Sequence, residues 1–309
     1  MNILAKTSNF IDSVDTAFIV ILGISFVFLV AITAVMVYFI IRYNRKRSPE
    51  PTQIKENVLL EVIWTVVPTI LVLVMFYYGW RSWFQMRKIP ENTFDIRAIS
   101  RMWSFSFEYE NGLITDTLYI PQNTPVKLEL ISQDVIHCLY IPAFRIKQDM
   151  VPGATNYMWF MSERTGRFDL FCAEYCGQRH SYMITKTVVK SQNEFDKWYS
   201  EASQKQSSAD TPEAKGLQIL KNQGCFACHS IDGSKLPGPT FKGLMGSEKI
   251  VLVNGKEKTI TADNAYIKRS TFEPNKELVK GFLPIMLNYK GKVKEEEIDF
   301  IIAYLKTLK

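Results

Sequence analysis

The side chains best suited to bind metal ions are concentrated in two short clusters of this chain. All three of its histidines and four of its five cysteines belong to them. Thiolates, imidazoles and a thioether suit copper and haem iron better than magnesium or calcium. This concentration favours a protein that carries electrons. The first cluster comprises His137, Cys172, Cys176, His180 and Met183, and the second is Cys225-Phe226-Ala227-Cys228-His229.

The first cluster has the composition of a copper site. Cys172 and Cys176 are close enough in sequence for one loop to direct both sulfurs at one point, and His180 and Met183 follow. Soft thiolates with imidazole and a weak thioether are a typical copper set. A zinc site would not include the thioether of Met183 and more often has cysteines at C-x-x-C spacing. Thiol-exchange centres also more often have C-x-x-C spacing. A structural disulfide between the two cysteines is the alternative in an oxidising compartment.

The second cluster has the spacing of a covalent haem site. In a C-x-x-C-H motif, the cysteines form thioethers with the haem and the histidine binds the iron. Cys225 and Cys228 are therefore the predicted attachment points, and His229 is the predicted axial ligand. Met286 is the candidate sixth ligand, because methionine with histidine is the pair that raises the potential of cytochromes c. A core methionine among neighbouring leucines is the alternative for Met286.

Two apolar runs near the N-terminus predict how these clusters are anchored. Thr16 to Ile41 and Val62 to Trp80 contain no charged residue over 26 and 19 positions. At about 1.5 Å per residue, such runs match the roughly 30 Å hydrocarbon core of a bilayer. We predict two transmembrane helices, at about 16–41 and 62–80. The first run is too long for the apolar part of a signal peptide, so we expect it to be retained as an anchor.

The charges between the two spans predict the orientation. Residues 42–47 read Arg-Tyr-Asn-Arg-Lys-Arg, and short loops rich in Lys and Arg stay on the cytoplasmic side. Both termini and the soluble regions are therefore expected on the outer face of the membrane, with lipid as a partner. The net charge of +6 on 309 residues forms no basic stripe, so we expect no binding to nucleic acid.

The region after the spans predicts two soluble units. Within residues 91–199, short apolar or alternating segments are separated by turn signals such as Asn111-Gly112 and Pro152-Gly153, which is typical of an antiparallel β-sandwich. Residues 200–212 are rich in Ser and Gln without an apolar period, which predicts a solvated linker. Residues 213–309 are predicted to be mostly helical, with helices at about 213–222 and 294–308.

The first cluster and its surroundings resemble subunit II of cytochrome c oxidase. The resemblance rests on His137, on Cys172-Ala173-Glu174-Tyr175-Cys176-Gly177, and on His180 and Met183. It extends through both spans. Further matching residues are Glu61 with Pro68, Asp134-Val135-Ile136-His137, Lys147, Asp149 and Pro152-Gly153.

The second soluble unit resembles the cytochrome c domains fused to bacterial oxidases. The resemblance rests on Gly238-Pro239-Thr240-Phe241-Lys242-Gly243-Leu244, on Tyr266 and on Arg269-Ser270. Leu287 stands where the family has a proline after the methionine. Together the resemblances imply a multidomain protein of the bacterial cytoplasmic membrane. It would hold a transmembrane hairpin (1–90), a cupredoxin-like all-β sandwich (91–199) and an all-α cytochrome c domain (213–309).

The resemblance also implies roles for individual residues. Cys172 and Cys176 would bridge the two ions of a binuclear copper centre, CuA. The other implied copper ligands are His137, His180, Met183 and the backbone carbonyl of Glu174. In the family, the carboxylate of this glutamate also helps to hold a magnesium ion at the boundary with the catalytic subunit, which implies a second role for Glu174.

Two further residues have implied roles outside the metal sites. Trp103 matches the tryptophan through which electrons arrive from cytochrome c, although Met102 and Phe105 replace its usual neighbours. Packing in the sandwich core is an equal alternative for Trp103. Glu61 matches a glutamate at the mouth of a proton channel in the catalytic subunit, and an ionisable residue at the edge of a span is often part of an ion path. Cys138 is expected to be a packed thiol.

The sequence therefore predicts the electron-transfer subunit of a haem-copper terminal oxidase. Electrons from a cytochrome c-type donor, or from a cytochrome c-reducing complex, would pass through haem c and CuA to catalytic subunit I. That partner would reduce oxygen to water and translocate protons, because two spans without a spare histidine cannot form the oxygen site.

Other classes of protein share part of this pattern. A CuA-containing subunit of a nitric oxide reductase is the nearest alternative, and only its partner distinguishes it. A copper-delivery or thiol-redox protein would leave the haem domain unexplained. A quinol oxidase subunit lacks the copper ligands, and a hydrolytic triad would need a histidine that is not already assigned.

Overall fold

The computed structural model describes residues 7–50, 53, 55–207 and 211–309. The chain divides into two compact units, Met1–Pro90 and Glu91–Lys309. The first unit holds two long apolar helices. The second unit holds both candidate metal-binding clusters.

Two helices make up the described part of the first unit. α1 is Ile11–Arg42 and α2 is Val58–Arg87, so both extend beyond the predicted spans. Each helix is long and apolar enough to cross a membrane, and most of their apolar side chains are exposed within the chain. Ser82 donates a hydrogen bond to Ser13 at 3.2 Å. Because this bond joins the end of α2 to the start of α1, the two helices run antiparallel.

Ten strands of the second unit form two five-stranded sheets. They are β1 (Phe94–Arg101), β2 (Ser104–Tyr109), β3 (Ile114–Thr115), β4 (Leu118–Pro121), β5 (Pro125–Ser132), β6 (His137–Ile141), β7 (Ile146–Met150), β8 (Asn156–Met161), β9 (Gly166–Cys172) and β10 (Ile184–Lys190). The sheet orders are β3-β2-β1-β5-β8 and β4-β10-β9-β6-β7. Alternate residues of β5 are buried, and the core includes Leu128, Leu139 and Phe160.

The prediction of an antiparallel sandwich is wrong for two pairs of strands. β1 runs parallel to β5, and β4 runs parallel to β10. Side chains alternate with a period of two in both kinds of pair. The alternating sequence pattern therefore predicts strands but not their direction. β6, β9 and β10 lie side by side as antiparallel neighbours, and this arrangement brings the first cluster together.

A helix continues from the sandwich into the predicted linker. α3 is Gln192–Ser207, so the prediction of a linker over 200–212 is wrong for residues 200–207, and residues 208–210 lie outside the described residues. Trp198 stacks on Tyr119 with 4.1 Å between ring centroids. This contact fixes the start of α3 on the sandwich, and a helix that has begun extends more easily than it starts. The polar residues that follow therefore continue as a helix.

The C-terminal region combines three helices with a small sheet. The helices are α4 (Pro212–Asn222), α5 (Asn264–Phe272) and α6 (Glu295–Leu305). α4 and α6 correspond to the predicted helices. The sheet has the order β12-β11-β13, with β11 at Glu248–Val253, β12 at Lys256–Thr261 and β13 at Leu278–Val279. This sheet is not predicted by the sequence pattern.

α4 and α6 approach each other closely at Gly216. A Cβ atom there would lie 2.6 Å from the carbonyl carbon of Phe300 and 2.9 Å from Cβ of Tyr304. Both distances are shorter than van der Waals contact, so only glycine allows the two helices to pack in this way.

The substitution Gly216→Ala should therefore destabilise the C-terminal domain. We expect a loss of about 3 kcal/mol in the free energy of unfolding, at the upper end for overpacking, because the obstructing group is backbone. Thermal unfolding followed by circular dichroism measures the effect. Lys221→Ala, on an exposed position of the same helix, is the control and should change stability by less than about 0.5 kcal/mol. Equal stability of both variants would contradict the close packing.

Candidate metal centre and haem site

Three neighbouring strands bring the first cluster together. His137 begins β6, Cys172 ends β9, and Met183 immediately precedes β10. β9 lies between β6 and β10, with Leu139 opposite Cys172. Residues distant in sequence therefore meet at one end of the sandwich, and the loop from β9 to β10 supplies the remaining ligands.

The two cysteine sulfurs form the middle of this cluster. Sγ of Cys172 and Sγ of Cys176 are 3.7 Å apart. A disulfide requires about 2.05 Å, so these are separate thiols, whereas two sulfurs that are each about 2.3 Å from one metal ion can be this far apart. Nδ1 of His137 and the carbonyl oxygen of Glu174 lie 3.8 and 3.2 Å from Sγ of Cys172. The donor set and its spacing fit a metal better than a disulfide.

The remaining donors lie beside the second sulfur. Nδ1 of His180 and Sδ of Met183 are 3.6 and 3.8 Å from Sγ of Cys176. The ligands therefore divide between the two sulfurs, with one imidazole on each. Met183 and Cys176 are only 1% and 4% exposed. Such burial excludes bulk water from the sulfurs.

Asp134 orients the upstream histidine. Its carboxylate accepts hydrogen bonds from Nε2 of His137 at 2.8 Å and from the backbone N–H of Met102 at 2.6 Å, which leaves Nδ1 of His137 for the sulfur side. Burial has the largest single effect and lowers the pKa of His137, but the hydrogen bonds and charges of Asp134 and Cys172 together outweigh it and raise the pKa overall. This role of Asp134 was not predicted from the sequence. A carboxylate three residues before a metal-binding histidine is the signal that would have identified it.

The cysteines of the sandwich differ in their acidity. The hydrogen bond between Cys172 and Cys176 lowers the pKa of Cys172 and raises the pKa of Cys176. Thiols bind metal ions as thiolates, so metal binding at this pair would release protons. Burial raises the pKa of Cys138 to about 12. Cys138 is 2% exposed, as expected for a packed thiol.

Trp103 is buried and contacts the loop that carries the candidate copper ligands. Its Nε1–H donates to the carbonyl oxygen of Cys176 at 3.1 Å, and its ring lies against Gly177. Only 6% of Trp103 is exposed. This burial fits core packing, one of the two interpretations from the sequence. Its role in electron transfer stays a prediction.

The second cluster lines a deep apolar cleft. Cys225, Cys228, His229 and Met286 all line this cleft, together with apolar residues such as Leu220, Phe241 and Leu305. A mostly apolar lining with a few polar groups is typical of a site for an organic cofactor. Burial raises the pKa of the Cys225 and Cys228 thiols, to about 12 and about 11. The structure thus brings all four predicted haem ligands to one cavity.

His229 is held in the orientation that an axial ligand needs. Its Nδ1 lies 2.6 Å from the carbonyl oxygen of Pro239, so Nδ1–H donates there and Nε2 is left for a metal. Its ring stacks on Phe241 at 4.5 Å. A Cβ atom on Gly238 would lie 2.6 Å from the ring, so glycine is required beside it. This role of Pro239 was not predicted from the sequence.

Two of the predicted functional residues, Glu61 and Glu174, have exposed side chains. Glu61 lies in the first turn of α2, and both glutamates are exposed within this chain. Their predicted roles depend on a partner chain, and both stay predictions.

Comparison with known proteins finds a family match for each of the three regions of the chain. Residues 2–81 match the transmembrane domain and residues 109–191 the periplasmic domain of cytochrome c oxidase subunit II, and residues 213–309 match cytochrome c. Cytochrome c oxidase subunit 2 of Alkalihalophilus pseudofirmus is 31% identical over 303 residues, covering 94% of this chain and 86% of the relative. That of Bacillus sp. strain PS3 is 28% identical, covering 86% and 80%. The solved periplasmic domain of subunit II from Bradyrhizobium japonicum is 29% identical, covering 38% of this chain and 99% of that chain, with a TM-score of 0.36.

The fold and the two sites define a membrane-anchored redox protein with a cupredoxin-like sandwich and a haem-binding domain. The chain belongs to the cytochrome c oxidase subunit II family and carries a cytochrome c domain. As a member of this family, it is one subunit of a haem-copper oxidase complex. The domain matches imply copper in the sandwich and haem c in the C-terminal domain.

Asp134→Asn should weaken copper binding by about 10- to 100-fold, the usual effect of losing a hydrogen-bond partner of a metal-binding histidine. The amide cannot replace the charge that holds Nε2–H of His137. Competition with a copper chelator measures the affinity. Asp169→Asn, at an exposed position of β9, is the matched control. Equal copper affinity in both variants would show that Asp134 does not orient His137.

Proposed function

We propose that this chain passes electrons from a cytochrome c-type donor, through its own haem c and a binuclear copper centre, to catalytic subunit I of the oxidase. Subunit I would reduce oxygen to water and translocate protons. The carrying observation is the division of the donors between two sulfurs, which offers ligands for two ions rather than one. Two copper ions that share both thiolates would distribute one transferred electron over both ions. The bonds between the ions and their ligands would therefore change little in length when an electron arrives or leaves.

The chain's own residues would control this centre by position and burial. Cys172 and Cys176 would bridge the ions, and His137, His180, Met183 and the Glu174 carbonyl would complete their coordination. Support comes from the distances of 3.2 to 3.8 Å between these donors and the sulfurs. The buried carboxylate of Asp134 fixes one imidazole, and protein around the sulfurs excludes water. Both features keep the ligands fixed between redox states.

The C-terminal domain would hold haem c by covalent and axial bonds. Cys225 and Cys228 would form the thioethers, and His229 and Met286 would bind the iron. The hydrogen bond from His229 to Pro239 supports this assignment, because it sets the imidazole so that Nε2 is available. The cleft around these residues is apolar, which favours a high reduction potential.

The remaining roles concern the partner subunits. The exposed carboxylate of Glu174 would help to hold magnesium at the boundary with subunit I, and Glu61 would lie at the mouth of its proton channel. Trp103 would carry electrons into the copper centre. The basic loop at residues 42–47 supports an outer location for both redox domains. Purification of the complex with subunit I, followed by an oxygen-uptake assay, separates this function from that of a nitric oxide reductase.

Cys172→Ser tests the binuclear centre. We expect the paramagnetic resonance signal of copper delocalised over two ions to disappear, because serine is a poor bridging ligand for copper, while haem absorption stays unchanged. Cys138→Ser is the matched control, since Cys138 is also a buried thiol of the sandwich. It should retain the signal. An unchanged copper signal in Cys172→Ser would disprove the bridge.

Met286→Ala tests the sixth haem ligand. Its loss should lower the reduction potential of the haem, because a thioether ligand stabilises the reduced iron. A redox titration of the haem absorption band measures the shift. Met245→Ala removes another half-buried methionine of the same domain and should leave the potential nearly unchanged. Equal potentials in the two variants would assign the sixth ligand to a different residue.

A further inference from the structure

We infer that Arg101 and Arg179 hold the haem-binding loop, residues 222–229, in a fixed position against the copper loop, residues 172–183. Electrons would then pass between the two sites in one docked arrangement, without a fresh encounter of the domains for each electron. This inference rests on the proposed relay. The two arginines are positioning residues, because neither is a ligand of either site.

Arg179 links the two loops directly. It precedes the copper-ligand candidate His180, and its Nη1–H donates to the carbonyl oxygen of Ala227 at 2.7 Å. Ala227 lies between the two haem-attachment cysteines. A hydrogen bond from a charged donor is roughly twice as strong as a neutral one. The contact therefore connects the backbone of the haem motif to a side chain next to a copper ligand.

Arg101 holds the other end of the haem-binding loop. Its Nη1–H donates to the carbonyl oxygen of Asn222 at 2.7 Å, and the residue is 2% exposed. Asn222 is the last residue of α4, where carbonyl groups lack helical partners and the helix dipole favours a positive charge. Burial lowers the pKa of Arg101, which reflects the cost of keeping this side chain charged. Contact with the helix end offsets that cost.

The backbone of the haem-binding loop is shaped for this approach. Gly224 has φ +68°, and a Cβ atom there would lie against Ser104 Oγ and 2.9 Å from Nη1 of Arg101. A side chain at this position would push the two domains apart. Elsewhere on the same boundary, Nζ of Lys292 donates to Oε1 of Gln133 at 3.3 Å. The contact therefore extends beyond the two arginines.

The segment that begins with Arg101 lies between the two redox sites. Met102 lines the haem cleft, and the next residue, Trp103, donates to the carbonyl oxygen of Cys176 in the copper loop. A fixed position of the haem-binding loop on this segment keeps the separation between haem and copper constant. A loosely tethered domain would spend part of its time at separations too long for rapid transfer.

The test uses the complete oxidase complex, reduced and then mixed rapidly with oxygen. Oxidation of haem c and of copper is followed separately by absorbance. In Arg179→Ala, haem c should be oxidised about threefold more slowly than in the wild type. In Arg101→Ala/Arg179→Ala, it should be oxidised at least about tenfold more slowly, and a tenfold change corresponds to about 1.4 kcal/mol of docking free energy. Copper oxidation should keep its wild-type rate, and both reduction potentials should be unchanged.

Three controls make the result specific. Arg167→Ala, at an exposed position of β9, should match the wild type. Arg179→Lys keeps a cationic donor and should recover part of the rate. The rate should become dependent on salt only in the alanine variants, because exposed charges steer a loose encounter and salt screens them.

The outcomes separate the docking from the relay itself. Wild-type rates of haem c oxidation in both alanine variants would overturn the fixed docking and leave the relay intact. If copper does not oxidise haem c even in the wild type, the proposed function is wrong, whatever the arginines do. If the double variant does not fold, Arg179→Ala alone decides, since Arg179 is only partly buried.

Discussion

The structure depends on holding two thiols, two imidazoles and a thioether together in a nearly water-free space. These groups come from the start of one strand, the end of another and the loop before a third. The strand order β10-β9-β6 brings these three positions together. Polar groups buried in this way need partners, which Asp134 and the backbone around the loop supply. The sandwich therefore works as a rigid frame for its ligands.

The sequence predicts the donors well because their chemistry is carried by side chains. Cysteine, histidine and methionine at the observed spacings leave few alternatives, and the structure brings every one of them to its predicted cluster. The two long apolar helices could likewise be predicted from the length of their apolar runs alone. The direction of the strands could not be predicted, because the period of two is the same in parallel and antiparallel pairs. The helical start of the supposed linker was missed because it depends on Trp198 packing against Tyr119.

The contact between the two redox domains could not be predicted for a different reason. Arg101 and Arg179 bind the carbonyl oxygens of Asn222 and Ala227. Every residue has a backbone carbonyl, so the residue types at those two positions do not indicate that their carbonyl groups bind arginine. Gly224 does indicate an unusual backbone or a close contact, but a glycine before a haem motif is equally consistent with a simple turn. Only the three-dimensional structure shows that its missing side chain makes room for Ser104 and Arg101.

In the proposed relay, residues of the copper loop have different tasks. Arg179 contacts the haem domain, whereas Tyr175 of the same loop is 76% exposed. Large exposed aromatic residues beside a buried site often mark a surface for another protein. Electrons would thus arrive through a contact within the chain and leave through a contact with a partner. Fusion of the donor domain gives it a high effective concentration, and fixed docking adds a constant geometry that a flexible tether alone does not provide.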